Sequence, residues 1–160
     1  MGLDMYLKKH IYIGAYYEHR KIGGSIEITK DGKPVAIDFG KVSYVIEEVA
    51  CWRKANAIHN WFVQNLAEGV DNCAPIYCEL DDLKRLLMTC ERILDAPDES
   101  KEHLVKNLLP PCEGFFFGST DIDEYYYEDL RHTAKVLTKI IESVSENDLD
   151  VHFEYQASWW

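Results

Sequence analysis

The chain of 160 residues predicts a single α+β domain, with a mainly antiparallel sheet, an N-terminal hairpin and about three longer helices. Three patterns carry that expectation. β-branched and aromatic residues alternate with polar ones near both termini. Helical apolar stripes occupy the middle. A composition 47% hydrophobic and 12% aromatic is spread along the whole length, enough to build one core without staples.

Leu3 to Ile13 reads as the first strand. Ser25 to Thr29 and Pro34 to Phe39 alternate around Lys30-Asp31-Gly32-Lys33, and Asp-Gly between two such runs predicts a hairpin with a type I′ turn. Val42 to Ile46 suits either a further strand or the start of a helix. From about Cys51 to Ala67 the period is helical, with Cys51, Ala55, Ile58, Phe62 and Leu66 on one face and Gly69 as the stop. Ile76 to Leu80 is a short strand. Asp81 is positioned to cap the helix that follows, whose stripe is Leu83, Leu86, Leu87, Cys90 and Leu94. Ser100 to Leu108 is a shorter helix ended by Pro110-Pro111. The last long helix has the stripe Tyr127, Leu130, Ala134, Leu137, Ile141 and Val144. Val151, Phe153 and Tyr155 alternate in a terminal strand, a natural neighbour for the first one.

The net charge of −11 argues against broad nucleic-acid binding, which needs a basic stripe to displace counterions, and against anionic membrane surfaces. No apolar run approaches the ~20 residues that span a bilayer. Met1 to Ile13 carries Asp4, Lys8, Lys9 and His10 where a signal peptide would be apolar, so a cytoplasmic protein is expected. Five cysteines without a C-x-x-C pair fit reduced thiols, and no cofactor or metal is called for.

The segment Trp52 to Phe62 is the richest in chemistry. At about 100° per residue Trp52, Asn56, His59 and Val63 line one flank of the expected helix, with Arg53 and Asn60 beside them. A ring, an amide, an imidazole and a guanidinium at one border suit a nucleotide-like ligand: stacking, hydrogen bonds to base or ribose, and a fork for phosphate. Phe116 and Tyr126 are candidate second walls. The same residues also suit packing, with Trp52 and Trp61 as anchors, His59 as a satisfied histidine and Arg53 as a solvated charge. Phe115 to Phe117 reads as a strand leading through Gly118 to Ser119 or Thr120, expected to cap the last helix. Asp121 and Asp123 alone make a weak magnesium site. His19-Arg20-Lys21 beside Gly23-Gly24 lacks phosphate-loop spacing. Cys51, Cys90 and Ser119, with His59 or His132 as bases, have no diagnostic nucleophile context, which favours binding over catalysis.

Met1-Gly2-Leu3-Asp4-Met5-Tyr6-Leu7, then Glu47-Glu48-Val49 running into Trp52-Arg53-Lys54-Ala55-Asn56-Ala57-Ile58-His59-Asn60-Trp61-Phe62-Val63, then Gly114 to Ser119 leading to Tyr126, Asp129 and Leu130 form a recurring set. In these segments the chain resembles a family of small uncharacterised proteins of bacteriophages and bacteria. The resemblance implies a bacterial or phage-infected cytoplasm and transfers no catalytic residue. The resulting expectation is non-catalytic binding of a small nucleotide-like ligand through Trp52, Arg53, Asn56, His59, Phe116 and Tyr126. A phage accessory or counter-defence protein that sequesters a signalling molecule would use such a site. The alternatives are an acidic protein-interaction module that inhibits a host protein, anchored or self-associating through Trp159-Trp160, and a small-molecule-processing enzyme using His59.

Overall fold

The computed structural model describes residues 2–14 and 25–159. The basic cluster at His19 to Lys21, with Gly23 and Gly24, lies outside the described residues, as does Trp160. Strand β1 (Leu3–Tyr12) is followed by β2 (Ile28–Lys30), β3 (Lys33–Val35) and β4 (Tyr44–Arg53). Helix α1 (Asn56–Leu66), β5 (Ile76–Cys78), α2 (Leu80–Leu94), α3 (Asp98–Leu108), α4 (Glu124–Ser143) and β6 (Val151–Trp159) complete the order. The main sheet runs β4-β1-β6-β5 with every pairing antiparallel, so the terminal strand does lie beside the first.

The sheet has one inward and one open face. Leu3, Met5 and Leu7 alternate inward with Ala50, Trp52, Phe153, Tyr155 and Ala157, all buried under the helices. On the other face His10 stacks on His152 at 4.7 Å, and Tyr77 stacks on the same imidazole at 5.5 Å. A bulge at Val49 shifts the β1–β4 register between Leu7↔Ala50 and Lys8↔Glu48. The Asp-Gly hairpin forms as a separate exposed ribbon. Lys30 faces Lys33, with Asp31 and Gly32 at φ 51° and 73°, the paired positive values a type I′ turn requires.

Several local expectations are corrected. Cys51, Trp52 and Arg53 belong to β4, not to the helix, because they pair with Tyr6, Met5 and Asp4, and Lys54 N–H still donates to the Leu3 carbonyl at 2.8 Å. The alternation of Ala50 and Trp52 inward with Cys51 and Arg53 outward satisfies a strand as well as the helical period did. Glu79, not Asp81, caps α2, in a reciprocal box with Asp82. Phe115 to Phe117 form a turn, with Phe117 N–H on the Gly114 carbonyl, rather than a strand. Asp123, not Ser119 or Thr120, caps α4 through a 3.1 Å bond from Tyr126 N–H. The buried stripe of α4 is Tyr126, Leu130, Thr133, Leu137 and Ile140, rotated slightly from the expected one because Tyr126 and Thr133 find internal hydrogen bonds. Gly69 does end α1, its N–H donating to the Val63 carbonyl at φ +79°. No helix among the described residues is long and apolar enough to cross a membrane.

Candidate functional site

Placing Trp52 and Arg53 on β4 divides the expected flank between two elements. Trp52 is 6% exposed, and its indole N–H donates to Thr133 Oγ1 at 2.9 Å. His59 is 1% exposed, with Nδ1 at 2.7 Å from the Tyr155 hydroxyl and Nε2 at 2.9 Å from Asp71 Oδ2. The rings of Phe117 and Trp159 close over it edge-on, at 5.1 and 5.9 Å. Both imidazole nitrogens are therefore engaged, and no ligand can reach either. Trp159 is thereby half-buried against this network rather than an exposed anchor. Phe116 lends its carbonyl to Leu3 N–H at 3.1 Å, and its ring meets Phe115 edge-on at 4.8 Å.

A cavity of about 340 Å³ opens nearby, where the start of α1 meets the start of α4. Of the expected residues, Arg53, Asn56 and Tyr126 line it, whereas Trp52, His59 and Phe116 do not. Asn56 builds its wall. The Asn56 amide donates to the carbonyls of Phe117 and Ser119 at 3.1 and 2.8 Å and accepts from Cys112 N–H at 3.3 Å, clamping the turn at 112–119 onto α1. Tyr126 is itself nearly buried, its hydroxyl donating to the Leu109 carbonyl at 2.9 Å. The turn approaches Lys54 so closely that a Cβ on Gly118 would lie 3.2 Å from the Lys54 Cβ, and Gly118 has φ +86°. Lys54 also holds a left-handed backbone, φ 60°, an unfavourable conformation that packing must impose.

Charge in the cavity is unevenly engaged. Asp121 accepts a hydrogen bond from Ser119 Oγ at 2.8 Å, Asp123 caps α4, and Glu128 pairs with Arg131 at 2.7 Å. Asp129 also lines the cavity, yet among the described residues its carboxylate has neither a hydrogen bond nor an ion pair. Burial pushes the Asp129 carboxyl up to about 6, with His132 working against the rise and Asp123 and Glu128 adding to it. Opposite charge comes from Arg53, held by Asp4 at 3.2 Å, and from Lys54, which has no ion-pair partner among the described residues. Helix α1 has no side-chain cap, so the first-turn amides of Ala57 and Ile58, two residues of the lining, are left without an acceptor of that kind. Tyr125, 81% exposed, stands at the rim.

This arrangement can hold a molecule with an anionic end and a donor-bearing end. Lys54 and the α1 terminus would take the anion and Asp129 the donors. It offers little for covalent chemistry. Cys90 is fully buried and pushed up to about 12, and Cys112 is pushed up to about 11 by burial and the nearby Asp71. Both are thiols, not thiolates, at neutral pH. Among the described residues no group of three His, Cys, Asp or Glu side chains is gathered for a metal. A wider groove of about 600 Å³ joins α1, α2 and α3, with Arg85 5.5 Å over the Trp61 ring, but that guanidinium is already paired with Asp82 at 2.6 Å.

Sequence reasoning missed Lys54, Tyr125 and Asp129 as cavity residues. The available signal was Ala55, a poor capping residue at a helix start, and it was hidden by placing that start at Cys51. Comparison with family models, with curated proteins and with solved structures finds no match.

Proposed function

We propose that the chain binds a small nucleotide-like molecule, without transforming it, in the cavity between the N-termini of α1 and α4. One observation supports this above the others: an uncapped helix start and a carboxylate without a hydrogen bond line the same cavity. A half-buried carboxylate with no hydrogen-bond donor is unfavourable even with His132 nearby, and a ligand donor relieves it. A phosphate beside Lys54 and the α1 amides would occupy the positive end of the helix dipole. Tyr125 offers a ring for a base. The expected setting belongs to the same proposal: a bacterial or phage-infected cytoplasm, where an accessory or counter-defence protein sequesters a signalling nucleotide.

Calorimetry against a panel of nucleoside monophosphates tests it, with mass spectrometry of the recovered ligand. Binding with the ligand returned intact is expected, and Lys54→Ala should weaken it by about tenfold if a charge-assisted contact is lost. Arg53→Ala should act less, since Arg53 is exposed and already shares Asp4. Equal affinity in wild type and Lys54→Ala would refute the site, and a converted ligand would replace binding with catalysis.

A second reading, an acidic protein-interaction module, draws on Phe115, which is 95% exposed at the tip of its turn. Phe115→Ala should leave nucleotide affinity unchanged under the first reading and disrupt partner capture under the second.

A further inference from the structure

We infer that the base this site selects is guanine, or a ring with the same paired donors, through Asp129. The inference rests on the nucleotide reading above and adds to it which base is held. Four carboxylates line the cavity, Asp121, Asp123, Glu128 and Asp129, and each of the first three has a hydrogen-bonded protein partner already. Asp129 alone among these four has no hydrogen-bonded protein partner, so both of its oxygens are open to a ligand, with His132 as the nearby charge that favours its ionised form.

A carboxylate is an acceptor with two parallel oxygens, the geometry that a guanidinium fork satisfies. Guanine presents the same fork on its Watson–Crick edge, with N1–H beside the N2 amino group. Hypoxanthine keeps N1–H and loses the amino group. Adenine sets its N6 amino group beside a bare N1 lone pair, which a carboxylate repels. A base held at Asp129 would direct its 5′-phosphate away from the acidic α4 start, which Asp123 caps, toward Lys54 and the uncapped α1 start. That orientation avoids placing phosphate against Asp121 and Asp123. The exposed ring of Tyr125 would cover one face of the base.

The test is calorimetry of the full chain with guanosine, inosine and adenosine 5′-monophosphates, on wild type, Asp129→Asn and Lys54→Ala. Folding is checked by circular dichroism. Wild type should prefer the guanosine over the inosine nucleotide by about tenfold, the loss of one charge-assisted donor, and bind the adenosine nucleotide least. Asp129→Asn should bring that preference close to one, because an amide offers a single acceptor oxygen. Lys54→Ala should weaken all three nucleotides while keeping the preference. Equal affinity for the guanosine and inosine nucleotides in wild type, with Lys54→Ala still weakening both, would overturn the guanine assignment and leave the site standing. A preference that survives Asp129→Asn overturns the role of Asp129 in the same way. No binding of any nucleotide at about 1 mM overturns both readings together.

Discussion

His59 and Asp129 are both withdrawn from solvent and both titratable, and they mark opposite kinds of polar site. His59 is 1% exposed with two partners, the Tyr155 hydroxyl and Asp71, which tie the middle of α1 to the central part of β6 and to the loop before β5. Asp129 is less deeply placed and has no hydrogen-bonded partner; it lines a cavity, with His132 as its nearby favourable charge. Residue type alone would favour the histidine as the functional group. Partner accounting reverses the order: a buried polar group with every bond made is holding the fold, and one with none made is available to a ligand. Asn56 lies between the two kinds, since its amide makes three bonds to one turn and thereby shapes the cavity wall.

His59→Ala should give the largest effect. It opens space beside Phe117 and Tyr155 and leaves a fully buried phenol without its partner. A loss of about 3 kcal/mol in denaturant unfolding is expected. A loss near zero would break the contrast, because His59 would then not be structural. Asn56→Ala should cost about 2 kcal/mol by the same measurement, and it should also weaken nucleotide binding by loosening the wall at 112–119. If stability falls and affinity does not, the wall and the site are separable.

Asp129→Asn should have the smallest effect on stability, and the opposite sign. The folded-state carboxyl titrates near 6, above its ordinary range, so the folded chain holds that proton more tightly than the unfolded one. The penalty of the buried charge is fully present above about pH 6 and is relieved as pH falls toward about 4. The variant should therefore be more stable than wild type at about pH 7, by about 1 kcal/mol after allowing for solvent screening, and equal to it at about pH 4. A variant less stable than wild type at neutral pH would show that Asp129 has a favourable partner in solution, which sharpens the comparison by removing one side of it.

Local patterns carried much of the architecture. The Asp-Gly turn needs only its two positive φ values, and the alternation of Val151, Phe153 and Tyr155 needs only the strand period, so both are written in neighbouring residues. The stop at Gly69 is equally local. The boundary between β4 and α1 was not, because the segment from Cys51 to Arg53 satisfies both periods, and pairing with Asp4 to Tyr6 chose the strand. That one displacement removed Trp52 from the expected flank while leaving Arg53, Asn56 and Tyr126 on the cavity.

The sequence by itself determined the α+β class, the hairpin, the terminal strand and the presence of stacking, amide and cationic groups near the start of α1. The tertiary structure decided which of those groups are free. His59 meets Tyr155 from 96 residues away, and Trp52 meets Thr133 from 81. Periodicity records which way a side chain leaves its own backbone. Whether a polar atom is satisfied depends on what distant chain is packed against it, and no local pattern contains that.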